Sequence, residues 1–220
     1  IAAEDTRRTR ILLQAHGLDT PLVSYHAHNQ ARQGSALLRR LQTGARVALV
    51  TDAGTPGISD PGFHLVRACR EAGVPVVPVP GPSAVAAVLS VAGVPADRFV
   101  FEGFLPPRPG RRLARLEALR ALDRPVVLYE GPHRLAGTLA AIQTVFGDAE
   151  VVLAREVTKR FEEFRRGTAG TLRALVEQTG VRGEVTLVVN PHGARPVDAG
   201  GDRDEVDASA DWADTESLPQ

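Results

Sequence analysis

Short β-branched runs alternate with segments of helical periodicity along most of this 220-residue chain, and that alternation restricts the fold more than any single motif. Ala45–Asp52 (ARVALVTD) predicts a strand, AGTPGISDPG a turn-rich loop, and Phe63–Ala72 an amphipathic helix closing at Gly73. Val74–Pro80 again predicts a strand, and Ser83–Ala92, small and apolar, a buried helix ending at Gly93. Beyond them come strands over Arg98–Gly103, Val126–Glu130, Val151–Glu156 and Glu184–Asn190, with helices over Gly110–Leu122, His133–Phe146 and Thr168–Gln178. Near the start, Asp5–His16 predicts a helix capped by Asp5 or Thr6 and closed by Gly17. Strands separated by helices imply largely parallel or mixed sheets with covered faces, so the fold class is α/β. A proline-rich break, LPPRPG (105–110), places a junction near Pro95–Arg98, giving α/β domains over 1–96 and 97–192 and a tail over 193–220.

The net charge of zero conceals an asymmetry that matters for partners. Residues 193–220 carry eight acids against Arg195 and Arg203, a net −6, which leaves the body 1–192 at net +6. Gly, Asp and Ser without apolar periodicity predict a disordered tail. A lone Cys69 leaves no internal disulfide or cysteine-based zinc site, which fits a reducing, cytoplasmic compartment. The charge-free run Ala72–Ala96 contains Pro75, Pro78, Pro80, Pro82 and Pro95, so no membrane helix is expected there. No methionine occurs, so Ile1 reads as a processed or truncated start. All basic residues but Lys159 are arginine.

Ligands of open α/β sheets bind beyond the carboxyl ends of the strands, and three unusual loops lie there. In the loop 52–62, three glycines and two prolines shape a backbone open to close approach, with Asp52, Thr55 and Ser59 adding polar atoms. Val79–Ser83 feeds a helix N-terminus, and Tyr129–Arg134 gathers a phenol, a carboxylate, an imidazole and a guanidinium. The first two also read as plain strand-to-helix punctuation, and the third as solvated surface. GxGxxG, GxxxxGK[ST] and HExxH are absent. His26 and His28 (YHAHN) lack a Cys or acid partner nearby, so they are assigned to a loop, and no metal site is expected.

AEDTRRT (3–9), VTDAGTPGISDPG (50–62), VVPVPGPSA (76–84), FEGFLP (101–106), LYEGPHR (128–134) and AREVTK (154–159) follow one another in an order and spacing that resembles the bacterial small-subunit rRNA (cytidine-2′-O)-methyltransferases of the RsmI type, within the tetrapyrrole-methylase-like class. The resemblance covers residues 1–192. It implies a homodimer, two α/β domains with S-adenosyl-L-methionine in the cleft between them, and 16S rRNA in the small ribosomal subunit as substrate. By position it implies a cofactor pocket of Asp52, Gly54, Thr55, Pro56, Ile58, Ser83, Ala84, Leu128, Tyr129 and Glu184. Family members carry a strand and a P-x-P-I-G-N-L-type loop before AEDTR, so the first domain is expected to lack that strand.

Transfer to a ribose hydroxyl needs alignment and an outlet for the proton, not a metal. Lys159, if desolvated near other cations, would have a lowered pKa and act as base; as a surface residue in TKRFEE it would need no such role. Asp5 and Glu4 are alternative proton acceptors, with a helix cap as the other reading of Asp5, and Glu130 belongs to the same catalytic set. His133 and Arg134 are placed to orient ribose or phosphate. For RNA, Arg108, Arg111, Arg112 and Arg115 would share one helical face. Two alternatives stay open: a tetrapyrrole as acceptor, and a non-catalytic RNA-binding fragment.

Overall fold

The computed structural model describes residues 1–192; the acidic tail lies outside the described residues. The first region runs β1 (Ala2–Ala3), α1 (Thr6–Ala15), β2 (Val23–Ser24), α2 (Gln30–Gln42), β3 (Leu49–Val50), α3 (Phe63–Glu71) and α4 (Ala84–Val91). Its three strands form a parallel sheet in the order β2-β1-β3. Ala2, Tyr25, Leu37, Leu65 and Cys69 form the small core beneath it. The strand expected over Val74–Pro80 does not form. Proline at 78, 80 and 82 removes every second N–H donor, and Val77 and Val79 stand 80% and 84% exposed.

The second region runs β4 (Val100–Phe104), α5 (Pro109–Arg120), β5 (Val126–Glu130), α6 (Leu135–Phe146), β6 (Glu150–Arg155), β7 (Glu163–Thr168), α7 (Ala169–Thr179) and β8 (Val185–Asn190). Its sheet has the order β4-β5-β8-β6-β7. Only β4 and β5 pair in parallel; β5–β8, β8–β6 and β6–β7 are antiparallel, so this sheet is mixed where the first is parallel.

Period-two alternation in the central strands builds two cores from one sheet. Val126, Leu128, Val151, Leu153, Val185, Leu187 and Val189 pack against Leu116, Leu119, Leu139, Ile142 and Leu172 of α5, α6 and α7. Val127, Val152, Ala154 and Val188 face the other way and meet Val85, Val88 and Leu89 of α4. A helix from before the expected junction at 96 thus covers the second sheet, and its N-terminus is brought to the boundary between the two sheets.

Candidate active site

The carboxyl ends of β1 and β3 deliver Glu4, Asp5 and Asp52 to one place. The Asp52 N–H donates to Glu4 Oε2 (3.2 Å) and the Asp5 N–H donates to Asp52 Oδ1 (3.2 Å), so the two loops hold each other in register. Arg8 Nη1 lies 3.2 Å from Asp52 Oδ2. Asp5 caps α1 by accepting the Arg7 N–H (2.8 Å), and hydrogen bonds from the Arg7 side chain and backbone bring its carboxyl down to about 2. Beside it opens a cavity of about 350 Å³ lined by Glu4, Asp5, Thr6, Arg7, Ser24, His26 and His28.

The glycine loop after β3 folds across toward the second sheet. Gly54 and Gly57 sit at φ +73° and +82°, a region that β-carbons disfavour. Thr55 Oγ1 donates to the Pro82 carbonyl (3.0 Å), joining this loop to the one that opens α4, where Ser83 caps the helix by accepting the Ala86 N–H (3.4 Å). Gly103, at the bulge in β4, has φ +71°, and a β-carbon there would lie 2.6 Å from Ser59 Oγ. The left-handed backbone at Gly103 favours glycine, and the serine hydroxyl of the loop packs directly against it.

Asp60, on that loop, is pushed up to about 6, first by burial and then by the carboxylates of Glu4, Glu184 and Asp52. Burial also raises the Tyr129 phenol, helped by the charges of Asp60 and Glu184. The Tyr129 ring meets Phe101 and Phe104 edge-on at 5.0 and 5.7 Å. The result is a cluster of four carboxylates beside aromatic rings, in which Arg8 pairs with Asp52 and Lys159 with Glu184 while the charge on Asp60 stays disfavoured, an arrangement that suits a cationic ligand. Among the described residues no group of three or more His, Cys, Asp or Glu side chains is placed to hold a metal ion.

Of the cofactor candidates, Asp52, Gly54, Thr55, Pro56, Ile58, Ser83, Ala84, Tyr129 and Glu184 lie on these loops or face the same charges. Leu128 does not: its side chain is fully buried in the helix-covered core, one residue out of phase with Tyr129. Glu130 shares that inward phase. It accepts from Thr138 Oγ1 (2.6 Å) and the Gly131 N–H (2.8 Å) and pairs with Arg134, so it fixes the start of α6 and has no access to a substrate. Arg134 donates to the Leu105 carbonyl (2.6 Å), and Arg112, buried, to those of Pro106 and Pro107. Both brace the β4–α5 loop, so the expected arginine stripe is broken: Arg108 and Arg111 are exposed, while Arg115 is bound to Glu102. His133 is exposed in the turn before α6.

Lys159 also departs from expectation. It sits between carboxylates, not cations: Nζ is 3.1 Å from Glu156 Oε1 and 2.9 Å from Glu184 Oε2. Burial works to lower its pKa, but the bonds to Glu184 and Glu156 outweigh it and the net shift is upward. An ammonium so held is a clamp on the end of β8, not a base. Asp60 was missed from sequence; its place after a strand, inside the glycine loop, was the available signal.

The tetrapyrrole (corrin/porphyrin) methylase family profile matches residues 1–173. The chain belongs to that family. The ribosomal RNA small subunit methyltransferase I of Escherichia coli O157:H7 is 48% identical over 205 residues, covering 92% of this chain and 72% of the relative. Among solved structures, a diphthine synthase superposes with a TM-score of 0.63 at 17% identity, over 81% of this chain and 72% of that one. Uroporphyrin-III C-methyltransferase from Thermus thermophilus, complexed with S-adenosyl homocysteine, gives 0.55 at 17% identity over 78% and 77%. At those identities the two likenesses establish the fold alone. No helix among the described residues is long and apolar enough to cross a membrane.

Proposed function

We propose that the chain is an S-adenosyl-L-methionine-dependent methyltransferase that acts in the cytoplasm, as a homodimer, on the 2′-hydroxyl of a cytidine in 16S rRNA of the small ribosomal subunit. The observation that carries the reading is the cluster of carboxylates around Asp60, which loops of both sheets contribute, joined to 48% identity with a ribosomal RNA small subunit methyltransferase I. A sulfonium cofactor carries positive charge, and Glu4, Asp52, Asp60 and Glu184 supply the opposite sign. Residues at Gly54–Ile58, with Ser83 and Ala84, would hold its amino-acid end through backbone groups, and Tyr129 its ring end. The cofactor, when bound, supplies a methyl carbon whose bond to sulfur breaks, the electron pair returning to sulfur as the hydroxyl oxygen bonds to that carbon.

The chain's own task is alignment and removal of one proton. Asp5 is held too acidic to ionise a ribose hydroxyl beforehand, yet it accepts the proton readily once the new C–O bond has made the oxygen strongly acidic. Lys159 fixes the position of Glu184 through their ion pair. Lys159→Ala is therefore expected to weaken the cofactor severalfold while leaving kcat within about twofold, since one exposed ion pair is worth little.

The test is calorimetric. Asp60 is about half protonated near pH 6 and ionises when a cation arrives, so cofactor binding at pH 6 releases protons and Asp60→Asn abolishes the release. Binding enthalpies that do not depend on the buffer's ionisation heat would contradict this electrostatic account.

A further inference from the structure

A second, larger cavity of about 400 Å³ lies between α2 and α3, lined by Ala27, His28, Ala31, Gly34, His64 and Ala68 among others. His28 also lines the smaller cavity at the carboxyl ends of β1 and β2, so the two chambers adjoin at this one side chain. We propose that the two cavities meeting at His28 form one path for single-stranded RNA, the smaller holding the acceptor nucleoside and the larger the base of an adjoining nucleotide. The inference rests on the RNA-methylation reading above and locates its substrate.

Four observations support it. The smaller cavity shares Glu4 and Asp5 with the hydrogen-bonded loops that reach Asp52, so its occupant lies one residue from the cofactor wall. Its carboxylates suit the donors of a nucleoside, a ribose hydroxyl or an exocyclic amine. The His28 N–H donates to His26 Nδ1 (3.2 Å), which leaves Nε2 of the neutral His26 ring as the protonated nitrogen, a donor for a base carbonyl or a phosphate oxygen. The His26 and His28 rings stand edge to face at 6.0 Å.

The larger chamber is built for a flat apolar guest. Ala27, Ala31, Gly34 and Ala68 leave room where bulkier residues would close it, and His28 and His64 supply rings for stacking. Arg7, at the mouth of the smaller chamber, spends its charge on an exposed pair with Asp5 that a phosphate can replace at little cost. Arg10, three residues further along α1, is exposed beside Arg7. A tetrapyrrole macrocycle needs one broad cleft, whereas two chambers divided by an imidazole suit two successive bases.

The experiment measures binding of a fluorescein-labelled single-stranded oligocytidylate RNA hexamer to the parent, to His28→Ala and to Ala31→Trp, alongside S-adenosyl-L-methionine affinity as a check on the fold. Ala31 is exposed on α2, so tryptophan there obstructs the larger chamber without entering a core. Each variant is expected to lose about tenfold in hexamer affinity, the scale of one stacked base, with cofactor affinity unchanged. Parental hexamer affinity in both variants, or a loss in only one, would overturn the joined path. A parent that binds the hexamer at these residues yet methylates no RNA would overturn the methylation reading and leave the path standing.

Discussion

The two sheets of this protein are opposites in construction. The second has strands of five and six residues and a core on each face, with Val126, Val127, Leu128, Leu187, Val188 and Val189 all fully buried. The first has three two-residue strands whose β2 and β3 residues are only half buried. Every loop with chemical promise starts at a carboxyl end of the first sheet or docks onto the second. The comparison teaches a division of labour: the second sheet is a rigid wall, and the first is a thin frame whose main product is the placement of Glu4, Asp5, Asp52 and the glycine loop.

Substitutions at matched sites test that division. Leu187→Ala, in the sealed sheet, is expected to cost about 3 kcal/mol in urea unfolding, and Leu49→Ala, in the open one, about 1 kcal/mol. Equal losses would erase the distinction. At the seam between the regions, Gly103→Ala combines left-handed backbone strain of roughly 1–2 kcal/mol with a contact against Ser59 Oγ, so it should lower both thermal stability and cofactor affinity.

Smaller effects sharpen the picture on the wall itself. Arg112→Ala should destabilise by about 1 kcal/mol, because carbonyl bonds that brace the β4–α5 loop are lost. Arg111→Ala, one position away and exposed, should stay within about 0.5 kcal/mol. Asp60→Asn differs from these in that its effect on stability depends on pH. Folding raises this carboxyl from 3.8 to about 6, so the native state binds more protons than the unfolded one in that window. Stability of the parent therefore falls as pH rises through it. The variant should lack that slope and be the more stable of the two at pH 7.5, with weaker cofactor binding; urea titrations at pH 4.5 and 7.5 decide.

How much of this was legible in the residues follows from the same contrast. Val126–Glu130 is a strand at its expected bounds, and the helices and all other strands of the second region except β7 lie within two residues of expectation, because long apolar runs flanked by glycine and proline announce themselves. Ala2–Ala3 and Val23–Ser24 are too short to show a period, and they exist as strands because β1 has a neighbour on either side. Gln30–Gln42 gathers its large apolar residues, Leu37, Leu38 and Leu41, on one face of its second half, while Gly34 and the polar first half argue against a helix, so the pattern alone does not assign it. EFRRGT (163–168) does not look like a strand; it is an edge strand held by a full ladder to β6, and its charges face water.

In the candidate site, the glycine loop and the α4 cap were visible as motifs. Leu128, Glu130, Arg112 and Arg134 misled because composition at a strand end does not say which face a side chain takes, although the alternation through Val126 would have assigned Leu128 and Glu130 to the interior. Of the Lys159 environment only Glu156, three residues earlier, was within reach of the sequence, since Glu184 is a tertiary partner at the start of β8.

Transfer of a tritiated methyl group from S-adenosyl-L-methionine to isolated small ribosomal subunits, followed by nuclease digestion and nucleoside chromatography, tests the central claim most directly. The account predicts label in 2′-O-methylcytidine, reduced severalfold or more in Asp60→Asn. Label absent from the RNA, with transfer to a porphyrin precursor offered in parallel, would contradict it.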